Sequence, residues 1–456
     1  MRLRFKTLLS ALLVSCCVFA ERSQMTNVVC FVRFADEDDS VFVHSPEFYE
    51  NMYNDTCSTA NSVYNYFNWV SYRQLEWSSV IYPVQSDGST LVTSYQDILE
   101  RCEMRPYDET DNPKGFKTSY SASLLEHDLV GRVCAYLDSV IPDSVKLDNR
   151  YEGSVDNLTI IYSGNSETTS KGTLLWPHQD SGLYFSTFQI NGCFVRRYLA
   201  VFDNANGYSL LKPKEINTGV LCHEMMHVLG APDLYAPSGD GSNPVGTWDL
   251  MSDNNIVPQG LTAFTRWQYG KWIDEIPQIK KDGDYTLHPV GSETSDNVAY
   301  RIVPSKASSD YFMIEYRRKE GTFESGIPIS GLVCYRISKN YSGNLGKGYE
   351  VYVFRMNGTS NYLNAVLTAD IGLTEGNTDN SPFRYKYSDG RQAPFRITNV
   401  SACGETISFH IDGLGKTDVE DVGQTGERPV IYNLYGVRVD ESYHGVVIID
   451  GKKYFQ

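Results

Sequence analysis

His223 and His227 lie four residues apart in INTGVLCHEMMHVLGAPDLY, residues 216–235. On an α-helix that spacing sets two imidazoles on one face, one turn apart. Glu224 follows the first of them and projects beside that face. Two histidines so placed are zinc ligands, and the carboxylate is a base for zinc-activated water. Gly230 suits a helix that must stop and turn sharply, because glycine takes positive φ without steric cost. Pro232 keeps the helix from resuming. Asp233 can then swing back as a third ligand. Three protein ligands leave one position for water, which is a catalytic rather than a structural arrangement. The alternative is an amphipathic helix with two surface histidines. The length of the H-E-x-x-H-x-x-G-x-x-D pattern makes that a poor explanation.

The extended pattern is that of the metzincin clan of zinc peptidases. The variant with Asp third, followed by Leu-Tyr, resembles the immune inhibitor A family. Its members carry H-E-x-x-H-x-x-G-x-P-D-x-Y, and residues 223–235 here read HEMMHVLGAPDLY. The segment GTWDLMS, residues 246–252, is similar to the family's methionine turn, which makes Met251 the expected turn methionine. Some metzincins have a Tyr two residues later; here Asp253 stands there, so no tyrosine switch is implied. The resemblance covers residues 27–412. It implies a secreted zinc endopeptidase acting on protein or peptide substrates. Zn2+ would be held by His223, His227 and Asp233, with Glu224 as general base. Tyr235 would line the site or steady the loop. The competing reading is a cell-surface binding protein or adhesin with a vestigial peptidase domain, and the intact metal-site residues argue against it. A zinc hydrolase acting on something other than peptides is compatible with the motif alone.

These residues need elements to position them. NVVCFVRF, residues 27–34, is nearly all apolar and predicts a buried strand. Val63, Tyr66, Phe67 and Val70 recur at helical spacing within residues 58–71, and a strand follows in SYRQLEWSSVIYP. Residues 121–140 predict a second helix with a Leu125, Leu129, Val133 and Leu137 stripe, which puts His127 on the solvent side. NLTIIYSG, residues 157–164, is a further buried strand. In LLWPHQD, His178 is read as structural ahead of substrate contact. Residues 195–202 are expected to be an edge strand. By the resemblance, such a strand would pair with an extended substrate. A closing helix is expected over residues 261–272.

From residue 282 the texture changes to short strands and turns. The expected fold class is α+β. A metzincin-like zinc peptidase domain, a twisted mixed sheet with the active-site helix, occupies residues 21–281. A β-sandwich domain follows over 282–412. Glu315 in the second unit is read as a buried structural partner of an arginine rather than a substrate contact. Residues 413–428 are polar and Gly-rich and predict a linker. Residues 429–456 look like short hairpins and resemble C-terminal sorting tails, which would engage a secretion machinery; a small β-extension is the alternative.

The chain has 456 residues and a formal net charge of −16. That excludes nucleic acid as the main partner, since no basic cluster is present to release counterions. Residues 1–20 combine Arg2, Arg4 and Lys6 with an apolar run too short to span a bilayer, and predict a signal peptide cleaved before Glu21. LVSC, residues 13–16, also resembles a lipoprotein box. A membrane association is therefore expected only with lipidation at Cys16, which would give a cell-surface lipoprotein. Eight cysteines lie beyond the leader, from Cys30 to Cys403. Their even number permits disulfides, although apolar settings such as VVCFV favour buried thiols. Asp240 and Asn243 could offer oxygens to Ca2+; a solvated turn is the better reading of that loop.

Overall fold

The computed structural model describes residues 23–42, 44–83, 94–167, 172–204, 215–237, 242–303, 308–359, 361–369 and 383–414, together with four short strands between 431 and 455. The leader, Asp240 and the proposed linker from residue 415 onward lie outside the described residues.

The first sheet has six strands: β1 (Ser23–Arg33), β2 (Leu75–Tyr82), β3 (Tyr95–Gln96), β4 (Asn157–Asn165), β5 (His178–Asp180) and, beyond a small hairpin, β8 (Tyr198–Asn204). That hairpin is formed by β6 (Gln189–Ile190) and β7 (Cys193–Phe194). The main order is β2-β1-β4-β8-β5, with β3 pairing the end of β1 that β2 leaves free. All pairings are parallel except the last, β5 against β8.

A parallel sheet is covered on both faces, and its central strands β1, β4 and β8 are accordingly buried along nearly their whole length rather than at alternate residues. In β1, Met25, Val29 and Phe31 face one core, while Val28, Cys30 and Val32 face another. Helix α3 (Ser119–Val140) covers the second face through Leu129, Val133 and Leu137. Helices α1 (Pro46–Asn54), α2 (Val63–Val70) and α4 (Thr218–Val228) cover the first.

Three expectations need correction. Residues 195–202 do not form an edge strand: β8 sits between β4 and β5, and the short antiparallel β5 takes the edge. His127 does not simply face solvent; it is half-buried and its Nε2 lies 3.1 Å from Asp180 Oδ2 on β5. The closing helix is present but shorter and differently wound than expected: α5 (Ala263–Thr265) runs on into a π-helical stretch over Arg266–Gly270 and ends at Lys271 in a left-handed conformation. Helix α2 runs over the residues of the expected stripe, Val63 to Val70, and the Ser62 side chain caps its start by accepting from Asn65 N.

The chain continues into two antiparallel sheets. One comprises β10 (Ala299–Ile302), β11 (Asp310–Arg317), β12 (Gly331–Ser338), β13 (Val351–Val353) and β14 (Val366–Leu367). The other comprises β9 (Gly283–Leu287), β15 (Arg396–Thr398) and β16 (Ile407–Asp412). Phe312, Ile314 and Tyr316 of β11 pack with Leu287, Ile397 and Phe409 between the two sheets. Their neighbours Tyr311 and Met313 join the core that also holds α4. The five-stranded sheet is therefore a middle layer, with apolar partners on both faces. Four final strands, β17 (Ile431–Asn433), β18 (Arg438–Val439), β19 (Val446–Ile449) and β20 (Lys452–Phe455), form an antiparallel sheet in the order β18-β17-β19-β20. The eight cysteines are free thiols. Among the described residues no helix is long and apolar enough to cross a membrane.

Candidate metal centre

Helix α4 starts where Asn217 accepts a hydrogen bond from Val220 N, and it is buried along almost its whole length. It ends as the sequence predicts. Leu229 closes the last turn, Gly230 takes φ 91°, and the chain reverses through Pro232. Asp233 then comes back over the helix. Its Oδ1 lies 3.1 Å from His223 Nε2 and 3.3 Å from His227 Nε2. One ligand atom from each of the three residues falls within 4.8 Å of the others. Among the described residues, these are the group of His, Cys, Asp or Glu side chains that could share a metal ion.

Backbone carbonyls fix how the rings point. His223 Nδ1 lies 2.9 Å from Leu250 O, and His227 Nδ1 lies 2.7 Å from Ala231 O. A carbonyl only accepts, so each Nδ1 carries the proton and donates it. In the neutral rings both Nε2 atoms then present lone pairs to the Asp233 carboxylate. Three electron-pair donors converging on one point call for a cation, and two nitrogens with one oxygen suit zinc. The protonation balance points the same way. Burial disfavours a charged His223, yet its hydrogen bond to Asp233 and the Glu224 and Asp233 carboxylates raise its pKa to about 9. Burial would raise Asp233, but hydrogen bonds and charge from the two histidines hold it well below the usual carboxylate range. Positive charge is needed at this point, as protons or as a metal ion.

The turn beneath the helix supplies one of those carbonyls. The Asp249 carboxylate is buried and accepts from Met251 N, Thr262 N and the Thr262 and Thr265 hydroxyls. Those bonds shape the turn, so that Leu250 O reaches His223 while Met251 O accepts from Leu234 N at 2.7 Å. Met251 is fully buried beside Met225 and Met226 in the same core. Glu224 is buried on the helix next to His223 and stays outside the converging trio. Tyr235 is exposed, and its ring lies 6.4 Å from that of His223 at 22°. Asn243 spends its amide on Asp253 and Ser252.

His178 is structural in its contacts. Its Nδ1 meets Trp176 O at 2.7 Å and its Nε2 meets Glu126 of α3 at 3.1 Å. Glu315 likewise lies buried, accepting from Ala263 N and Tyr335 Oη, with Arg317 at 3.4 Å. Several site features had no sequence signal: the Leu250 and Ala231 carbonyls act through backbone, and Asn344 reaches the Asp233 loop from a distant β-hairpin. A cleft of about 230 Å3 opens beside His227, lined by Gln179, Ser181, Arg196, Arg197 and Val228.

A mixed sheet with a helix bearing two histidines, a carboxylate and a returning aspartate defines a metallopeptidase type of site. Residues 147–268, which contain β4, β5, β8, α4 and the turn at Met251, match the family model of the immune inhibitor A peptidase M6 catalytic domain. That stretch is thus similar to an immune inhibitor A metallopeptidase catalytic domain. A stretch of 145 residues is 29% identical to the pre-pro-metalloprotease PrtV of Vibrio cholerae serotype O1, covering 27% of this chain and 15% of that protein. The chain therefore spans only a small part of the length of the relatives it matches. Two crystal structures of wild-type OgpA from Akkermansia muciniphila align over 76% and 75% of this chain and 99% and 98% of theirs, at 8% and 9% identity. Their TM-scores of 0.29 and 0.27 carry no argument about this chain.

Proposed function

We propose that this protein is a secreted zinc endopeptidase that hydrolyses peptide bonds of protein substrates. The observation that carries the reading is the convergence of His223 Nε2, His227 Nε2 and Asp233 Oδ1, with both Nδ1 protons committed to backbone carbonyls. A zinc ion held by these three residues would supply Lewis acidity to the attacking water and to the scissile carbonyl. Glu224 takes the proton from that water and returns it to the leaving amine. The imidazoles keep their Nδ1 protons throughout, because Leu250 O and Ala231 O hold them. The edge strand β5 offers its outer side to an extended peptide, whose backbone pairing would be sequence-tolerant.

The metzincin-like reading rests on the same return loop and on the buried Met251 turn. Residues 21–281 make up the peptidase unit in this proposal, and residues 282–412 a β-sandwich whose five-stranded sheet backs it. Export rests on the leader-like residues 1–20.

The test uses the zinc-loaded chain beside a Glu224→Ala variant. Zinc per chain is measured together with cleavage of an unfolded protein such as casein. One zinc in both, with cleavage only in the parent, is the expected result. Equal cleavage by Glu224→Ala would remove Glu224 as the base. No stoichiometric zinc in either would overturn the metal site.

A further inference from the structure

The cleft beside His227 has an unusual charge for this chain. The protein carries 56 acidic against 40 basic side chains, yet the cleft wall holds Arg196, Arg197 and no carboxylate among the described residues. Strand alternation produces this asymmetry. In the β5–β8 ladder His178 faces Ala200 and Asp180 faces Tyr198, and both partners lie in the core beneath α3. On that side the two nearby carboxylates are spent: Glu126 on His178, and Asp180 on His127. Gln179 pairs Leu199 and so points to the other face, the one α4 covers. Gln179 and Ser181 thus line the cleft while Glu126 and Asp180 are turned away from it.

Arg197 is held in place rather than free to wander. Its Nη1 donates to Val228 O at 3.2 Å, at the end of α4, and its guanidinium lies over the Tyr151 ring at 4.4 Å. Arg196 donates to Ser186 O and lies over the Phe194 ring at 4.2 Å. A guanidinium has five N–H donors in a planar fork, so the bond from Arg197 to Val228 O leaves donors of that residue for a ligand, and Arg196 adds its charge beside it. Among the described residues no carboxylate pairs with Arg197. Two guanidinium groups beside His227, with the Gln179 amide and the Ser181 hydroxyl, suit one ligand chemistry: a carboxylate, bound by charge-assisted hydrogen bonds.

We propose that Arg196 and Arg197 form an anion subsite of the peptidase cleft, which selects substrates carrying an acidic side chain close to the scissile bond. The proposal rests on the metallopeptidase reading for its location. Its recognition chemistry can be tested apart from turnover.

End-blocked peptides of a common sequence, differing only by Glu or Gln at one scanned position, are compared as substrates of the zinc-loaded full chain. The same peptides are titrated into zinc-loaded Glu224→Ala. The expected result is a Glu preference of roughly tenfold at one position or more, in kcat/KM and in binding, shrinking as salt is raised. In Arg196→Gln and Arg197→Gln that preference should fall several-fold, and in the Arg196→Glu/Arg197→Glu double variant it should pass to a Lys peptide. Zinc content and Tm of each variant separate loss of the subsite from loss of the fold. Equal binding of Glu and Gln peptides at every position overturns the proposal. So does a peptide without acidic side chains that gains the same preference only when its C-terminus is unblocked, since the carboxylate recognised would then be the chain end. Binding without any hydrolysis would refute the peptidase reading and still support the subsite.

Discussion

The backbone N–H of Asn344 donates to the carbonyl of Asp233 at 2.8 Å. The Asn344 side chain adds a bond from Nδ2 to Leu234 O at 2.7 Å, from 110 residues further along the chain. Its own hairpin locks it in turn: Nδ2 also donates to Val351 O, and Oδ1 accepts from Val351 N. The loop of the third candidate ligand is thus held from the β12–β13 connection and from the Met251 turn, outside the helix that carries the other two.

Replacing Asn344 with Ala should therefore weaken the metal site without touching a ligand. Leu234 O would lose its partner, and the return loop would be ordered by its backbone contacts alone. Outer supports of metal ligands typically contribute about 10–100-fold in metal affinity. Competition against a graded chelator should show a loss in that range while secondary structure is retained. Affinity equal to the parent's would mean that the loop holds Asp233 by itself.

Gly219 gives a prediction whose sign opposes helix propensity. In an exposed helix, Gly→Ala stabilises by about 1 kcal/mol. Here a Cβ at position 219 would stand 1.7 Å from Asn255 O, on the segment that follows the Met251 turn. The helix must move or the segment must, and overpacking of that kind costs about 1–3 kcal/mol. Denaturant unfolding of Gly219→Ala should show a net loss, with less zinc bound per chain. A gain in stability would show that residue 255 gives way freely.

The helix, its stop and the returning aspartate were legible because each depends on local chemistry: i,i+4 spacing, a glycine at positive φ, a proline. The buried strands 27–34 and 157–164 were legible because both faces of a parallel sheet are covered. The identity of the edge strand was not. β5 is three residues long, and its place outside β8 is set by a non-local antiparallel pairing that leaves no periodic trace. The closing helix was legible in its place but not in its winding, since the change to π geometry at Arg266 leaves no mark in the residue types. Asn344 and Arg197 were invisible because what matters about them is where the chain brings them.

Arg317 joins β11 to the Met251 turn through charge. It is fully buried, donates to Trp248 O and Gly260 O just around the Met251 turn, and pairs with Glu324 at 2.7 Å and Glu315 at 3.4 Å. Removing it would strand two carboxylates in a dry interface. Arg317→Met should cost about 3–5 kcal/mol in denaturant unfolding. A triple variant that also replaces Glu315 and Glu324 with apolar residues of similar volume should recover part of that loss. A single-variant cost under about 1 kcal/mol would show the pair to be solvent-relieved.

His178 should make stability fall as pH rises through the mildly alkaline range. Burial opposes charge on its ring, but the hydrogen bond and charge of Glu126, the Trp176 carbonyl and the Glu224 carboxylate raise its pKa from 6.5 to about 9. A folded-state pKa above the unfolded one means that the folded protein holds the proton more tightly. The stabilisation is then complete below about pH 6.5 and is lost as pH climbs towards 9. A shift of that size corresponds to something on the order of 3 kcal/mol. Urea unfolding across this window, at saturating zinc so that His223 stays committed to the metal, should show the decline. Glu126→Gln keeps the shape of the α3 side chain and removes the charge that retains the proton, so its curve should be nearly flat. An equally steep decline in Glu126→Gln would assign the titration to a group other than His178.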